Sequence, residues 1–292
     1  MSLSIFFQNL INAISLGFLF ALIAIGYTMV YGVLRLINFA HGDIFMMAAF
    51  FVFYTMTIFS LPWGIACLVA IVLTMLLGLS VERVAYRPLR NAPRISSLCS
   101  AIGVSFLLEN FAVVVFGGRP KSFYCPEFFT KTFILGGVRV LGINFVTPLV
   151  SIVFLSLLSY LVYRTKNGLA MRAISKDFDT ARLMGINIDR TISFTFMIGS
   201  GLAAVGAILW ASRYPQIWPF MGVFPGWRAF TAAIIGGIGS IRGAMVGGFL
   251  VGFISIMLVA FLPELAGYKD AFIFIALILV LLFKPEGLFG EE

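Results

Sequence analysis

The chain has 292 residues, of which 61% are hydrophobic and only 11% charged, with a net charge of +8 and a mean hydropathy of +1.06. Soluble domains carry about a quarter charged residues, so this composition excludes an ordinary soluble domain and points to a polytopic membrane protein. The positive balance then reflects which loops face the cytoplasm, and no nucleic-acid partner is expected.

Five stretches carry no charge at all: 1–34, 44–81, 140–163, 191–212 and 243–263. Each supplies the roughly 20 residues that cross a bilayer as a helix. Repeated ten-residue alternating strands are absent, so the expected class is an all-α helical bundle, whose helices satisfy their own backbone in lipid. The predicted spans are 9–33, 44–60, 62–82, 95–116, 147–163, 191–211, 226–241, 244–262 and 267–284. They form one transmembrane domain over 1–292 with eight or nine crossings, one re-entrant segment being enough to change the count. No basic residue precedes the first run, the reverse of signal-peptide order, so that run is expected to remain a span.

The first connection, "RLINFAHGDIFMM" (35–47), holds the chain's single histidine, His41, two residues before Asp43. A hydrolytic triad would need a nucleophile and an orienting acid, and no Gly-x-Ser-x-Gly occurs. A metal would need more than one His and one Asp, so no metal or cofactor is expected. A proton relay would need further intramembrane acids, and Glu109 alone lies well inside a span. A helix break accounts for the stretch better. Residues 9–40 as one helix would reach about 48 Å, well past a hydrocarbon core of roughly 30 Å. Asn38 and Gly42 are natural residues to end it, Asp43 to N-cap the next helix, and His41 to donate to the last carbonyls. Tyr27, Thr28 and Asn38 are polar groups in apolar surroundings and the candidates for lining a solute path, with plain packing as the alternative.

Further along, Cys67, Cys99 and Cys125 are an odd number without metal spacing, and Cys67 and Cys99 read as packing residues. Arg83, Arg87, Arg90 and Arg94 fill one connection, and Arg164, Lys166, Arg172, Lys176, Arg182 and Arg190 another. Two crossings separate them, so both are expected in the cytoplasm, with 117–146 and the N-terminus outside and the C-terminal tail inside. Within 164–190, Ala170, Ile174, Ala181 and Leu183–Met184 interleave with charges as in a short amphipathic helix, which Asp177 and Asp179 start and Gly185 ends. Such a segment lies on the membrane surface or docks into a partner's groove.

The stretch "TAAIIGGIGSIRGAMVGGFLVG" (231–252) contains seven glycines. It is too apolar for a phosphate cradle, and no Gly-Lys-Ser/Thr occurs, so ATP hydrolysis would have to come from another chain. Small residues allow close helix packing. The alternative is a broken helix at Gly239, Ser240 and Gly243, matching the break at Asn38, His41, Gly42 and Asp43 in the first half.

"ALIAIGYTMVYGVLRLINFAHGDIFM", "VERVAYRPLR", "ARLMGINIDR" and "FTAAIIGGIGSIRGAMVGG" together closely resemble the LivH-type permease of branched-chain amino acid ABC importers, over 16–284. The resemblance implies a multi-pass inner-membrane protein paired with a second, homologous permease. It also implies two cytoplasmic ATP-binding subunits and a periplasmic binding protein that delivers Leu, Ile or Val. "DTARLMGI" (179–186) resembles the segment that contacts the ATPase, which assigns Asp179, Ala181, Met184, Gly185 and Ile186 to coupling, with Arg172 on the same 168–187 segment. Arg242 departs from the family, which commonly has Pro there. Permeases for urea, amides or other amino acids remain the alternative cargo reading; a proton- or sodium-coupled transporter would need more intramembrane acids.

Overall fold

A computed structural model describes residues 3–90 and 92–290. Helix α1 (Leu3–Leu34) is apolar on every side, which suits a helix at the centre of a bundle. It is buried from Ser15 to Val30 except at the partly exposed Phe18, and the other spans arrange around it. α2 (His41–Phe59) follows, then α3 (Trp63–Val81), which runs on through a π turn at Glu82–Tyr86 and a 3-10 turn at Arg87–Leu89. α4 (Arg94–Phe116) leads into a connection built of β1 (Lys121–Ser122), the short α5 (Glu127–Thr130), and an antiparallel hairpin of β2 (Thr132–Leu135) and β3 (Val138–Leu141). α6 (Ile143–Arg164) returns across the bundle. The next connection holds α7 (Lys166–Lys176) and α8 (Phe178–Leu183), and α9 (Ile188–Arg213) crosses again. β4 (Gln216–Ile217) pairs antiparallel with β1. α10 (Val223–Gly236), α11 (Ile241–Phe261) and α12 (Lys269–Phe283), the last preceded by a 3-10 turn at Pro263–Tyr268, complete the fold.

Eight helical segments among the described residues are long and apolar enough to cross a membrane. The expected span at 226–241 is the exception. α10 has 14 residues and is about 21 Å long, short of the hydrocarbon core. It is a half-length helix, and residues 218–222 reach its start without regular structure.

Glycine governs the central packing. α1 and α11 run antiparallel with Gly17 against Gly252 and Ala21 against Gly248, so close that a Cβ on either α11 glycine would collide with α1 backbone. Lipid gives little hydrophobic drive between helices, so such close backbone approach supplies much of the attraction. At one end of the bundle the Arg213 guanidinium donates to Ser15 Oγ (3.1 Å) and Asn144 Oδ1 (2.7 Å), and Asn144 donates to Asn12 (2.7 Å). At the other end the fully buried Glu82 accepts from Arg90 (2.7 Å) and Ser193 (2.7 Å), while Asp189 takes both Arg87 and Arg90. A buried carboxylate is tolerated because every oxygen has a donor.

If glycine packing holds α1 to α11, Gly248→Val in the purified chain is expected to cost about 1–3 kcal/mol and lower the detergent melting temperature. Gly103→Val, on α4 with open space around its Cα, is expected to leave it unchanged. Equal melting temperatures would show that the α1–α11 contact is looser than this.

Candidate functional site

The first helix break meets the start of the half-length helix α10. α1 ends at Leu34, earlier than Asn38, and the turn is made by Arg35 in a left-handed conformation (φ 52°). Residues 35–40 fold back along α1, because His41, the first residue of α2, packs its ring 4.3 Å from that of Tyr27, two turns before α1 ends. Gly26 makes room for it: a Cβ there would lie 2.8 Å from the imidazole. His41 therefore does not donate to the last carbonyls of α1, as its position in sequence suggests. It is buried inside the bundle, and its Nε2 has no hydrogen-bond partner among the described residues.

Asp43 is also not the N-cap. That position falls to Ala40, which offers no side-chain cap, and the turn is closed by backbone bonds from Asp43 and Ile44 N–H to the Ala40 carbonyl. The Asp43 carboxylate is thereby freed to point across to α4, where Ser105 Oγ donates to it at 2.5 Å. Asn38 is held from the side, with its Oδ1 accepting from the Tyr86 hydroxyl (2.9 Å). Gly42 has an ordinary negative φ rather than the positive one glycine often supplies at a helix end. It is required by contact: a Cβ on Gly42 would stand 2.7 Å from the Gly222 carbonyl oxygen, and Gly226 lies against the Gly42 Cα.

That contact places the N-terminus of α10 against the N-terminus of α2. α10 begins with Pro225 in its first turn, where the missing N–H is no loss. Its far end is capped by the tail, with the Leu288 and Phe289 N–H groups bonding the Ile235 and Gly236 carbonyls (2.9 and 2.8 Å). Gly237 and Gly239 take positive φ, and Ser240 caps α11 through its hydroxyl to the Gly243 N–H (3.1 Å). Gly243 itself packs against the Gly236 carbonyl. The expected break at Gly239, Ser240 and Gly243 is therefore present, and Arg242 is accommodated at the start of α11. Arg228 clamps the half-helix to α12 with two bonds to Asp270 (2.7 and 3.0 Å).

A cavity of about 430 Å³ opens between the paired N-termini and α4. Asp43, Ser105 and Glu109 supply its polar wall, and Phe39, Phe106, Trp227 and Phe230 its apolar one; among the described residues no lysine or arginine lines it. Two helix N-termini contribute partial positive charge and two carboxylates contribute negative charge at the same site, an arrangement that can hold both ends of a zwitterion. Of the residues expected to line a path, Tyr27 borders this cavity. Thr28 and Asn38 border only a crevice of about 10 Å³ below it, room for one water. Sequence reasoning missed Asp43, Ser105 and Glu109 as a set. The intramembrane position of Glu109 was the available signal.

The segment expected to couple to an ATPase is two helices split at Asp177, whose carboxylate accepts from the Asp179 N–H (2.9 Å) and the Thr180 hydroxyl (2.5 Å). Those bonds, the hydroxyl first, hold its carboxyl below the usual carboxylate range. Gly185 ends α8 at φ 80°. Ala181 is 3% exposed and Ile186 is half-buried against the bundle, so neither forms the outward apolar face expected of them. Leu183 and Met184, 87% and 78% exposed, form the tip; Arg172 and Asp179 are exposed beside it, the Arg172 guanidinium lying 5.5 Å from the Tyr163 ring.

Residues 9–281 match the family described as branched-chain amino acid transport system / permease component. The chain is 39% identical over 98% of its length to the high-affinity branched-chain amino acid transport system permease protein LivH of Salmonella typhimurium, covering 96% of that protein. The LivH protein of Escherichia coli gives the same identity and coverage. The permease BraD of Pseudomonas aeruginosa is 41% identical, with 98% of this chain and 96% of BraD covered.

The contact between the N-termini of α2 and α10 predicts a definite order among variants. Gly42→Ala is expected to abolish transport, because even one methyl meets the Gly222 carbonyl. Ser105→Ala, which leaves Asp43 without its donor, is expected to cost about 1–3 kcal/mol of stability. His41→Gln, which cannot titrate, is expected to keep transport. Uptake assays corrected for membrane abundance distinguish this from a proton relay, in which His41→Gln would be dead and Gly42→Ala mild.

Proposed function

The chain belongs to the family of branched-chain amino acid transport system permease components, and we propose that it forms the path by which Leu, Ile or Val crosses the bacterial inner membrane. The supporting observation is the cavity at the joined N-termini of α2 and α10. The substrate carboxylate faces the two helix N-termini near Gly42 and Gly222, its ammonium faces Asp43 and Glu109, and its side chain rests on Phe106, Trp227 and Phe230. Phe106 and Trp227 stand at the open side of the cavity, where a second, homologous permease completes the wall. A periplasmic binding protein delivers and selects the solute. Two cytoplasmic ATP-binding subunits supply the energy by seating the Leu183–Met184 tip in a groove, so that ATP-driven closure pulls α7 and α8 and rocks the spans.

The direct test is stimulation of ATPase activity in the reconstituted complex. Leu, Ile and Val are expected to stimulate it with the cognate binding protein, whereas stimulation by urea or short amides alone would move the assignment to another cargo. Glu109→Gln removes one charged contact to the ammonium and is expected to lower solute affinity roughly tenfold. Leu183→Asp is expected to uncouple transport from ATP hydrolysis in a chain that still inserts. Ala181→Asp would only unfold the chain's own packing. For sidedness, single cysteines at Lys131 and Asn167 in a thiol-free background are expected to label from outside and only from inside, respectively. Labelling of Asn167→Cys from outside in intact cells would reverse the topology.

A further inference from the structure

A second and larger cavity lies away from the solute path, at the end of the bundle that carries the basic connections. It is a groove of about 570 Å³ between the end of α3, the start of α9 and the first turns of α7. We propose that this groove binds one anionic phospholipid, its phosphate between Arg83 and Arg190 and an acyl chain along the apolar floor beneath them.

The order of residues along both helices carries the argument. On α3 and the π turn that continues it, Leu79 lies one turn further into the bundle than Arg83, at a spacing of four that keeps both on one face. On α9, Arg190 is followed at the same face by Phe194 and Met197, at spacings of four and seven. The helices are antiparallel, and Glu82 bonds Ser193 across them, so the two arginines stand at one level and the three apolar residues at a deeper one. Asn167 and Asn187 add polar groups at the upper level. A charged rim over an apolar floor has the polarity profile of a phospholipid entering from the headgroup region.

The charge balance supports an anionic occupant. Arg87 and Arg90 in the same connection are neutralised by Asp189 and Glu82. Arg83 and Arg190 have no ion-pair partner among the described residues, and no carboxylate lines the groove. Two guanidinium groups facing one space repel each other until an anion bridges them, and guanidinium binds phosphate with two parallel hydrogen bonds.

The full chain and its assembled complex can be tested in nanodiscs containing equal parts of phosphatidylglycerol and phosphatidylcholine. After extraction into mild detergent, the lipid retained per protein is measured by mass spectrometry. Enrichment of phosphatidylglycerol is expected, and Arg83→Gln and Arg190→Gln are each expected to reduce it roughly fivefold. Arg164→Gln, on the same end of the bundle but outside the groove, is expected to leave it unchanged. Phe194→Ala is expected to weaken retention of the lipid, and inorganic phosphate at millimolar concentration is not expected to displace it. Equal retention in the two groove variants, or equal loss in Arg164→Gln, would overturn the proposal. So would full displacement by inorganic phosphate, or loss of the lipid once the ATP-binding subunits assemble. Unchanged melting temperatures keep a folding defect from imitating the expected result.

Discussion

Within a bilayer, a helix can stop part-way only if the backbone groups it leaves behind find partners inside the protein. The contact of Gly42 with Gly222 and Gly226 meets that constraint, and most of the interior is arranged around it. Two helices begin at the same level inside the bundle, their backbones touching because neither carries a side chain at the junction. Everything that would disturb this has been displaced or fixed. His41 is taken into the space above Gly26, Asn38 is held by Tyr86, and the turn into α2 closes on the Ala40 carbonyl.

The outer supports of α10 are of three kinds. The tail caps its last carbonyls, Arg228 and Asp270 tie it to α12, and the glycines of α11 let it lie close to a neighbour that itself lies close to α1. A half-helix of 14 residues would be marginal alone, since a short helix gains too few hydrogen bonds to repay its nucleation. Tertiary contact supplies the remainder. The same contact leaves a cavity on one side, lined by the two helix N-termini, the carboxylates of Asp43 and Glu109, and an aromatic wall.

At the basic end, carboxylates and arginines divide into two groups. Glu82 and Asp189 pair with Arg87 and Arg90 and fasten α3 to α9, which gives α7 and α8 a firm base. Arg83 and Arg190 are left facing the groove. The short helices α7 and α8 hold to this base through Met171, Ile174 and Ala181, and the Leu183–Met184 tip stands clear of the bundle.

Much of this was legible in the sequence. Charge-free runs marked the spans because a charged group in hydrocarbon is costly, and glycines marked the second break because only they take the φ values of Gly237 and Gly239 without strain. Asn38, His41, Gly42 and Asp43 could be recognised as a break from length alone, since a helix through them would overrun the membrane. What those residues do individually was decided by tertiary structure. Asp43 looks like a cap in sequence and is a cavity wall in space, because the Ala40 carbonyl closes the turn and Ser105 on a distant helix offers the better partner. Gly42 looks like a positive-φ position and is a contact with Gly222, 180 residues further along the chain. Ala181 and Met184 share one short segment, yet one is buried and the other exposed, because the bundle behind the segment selects the face. Local pattern reports where a helix can begin and end; which groups then meet depends on neighbours far apart in sequence, and no spacing rule contains them.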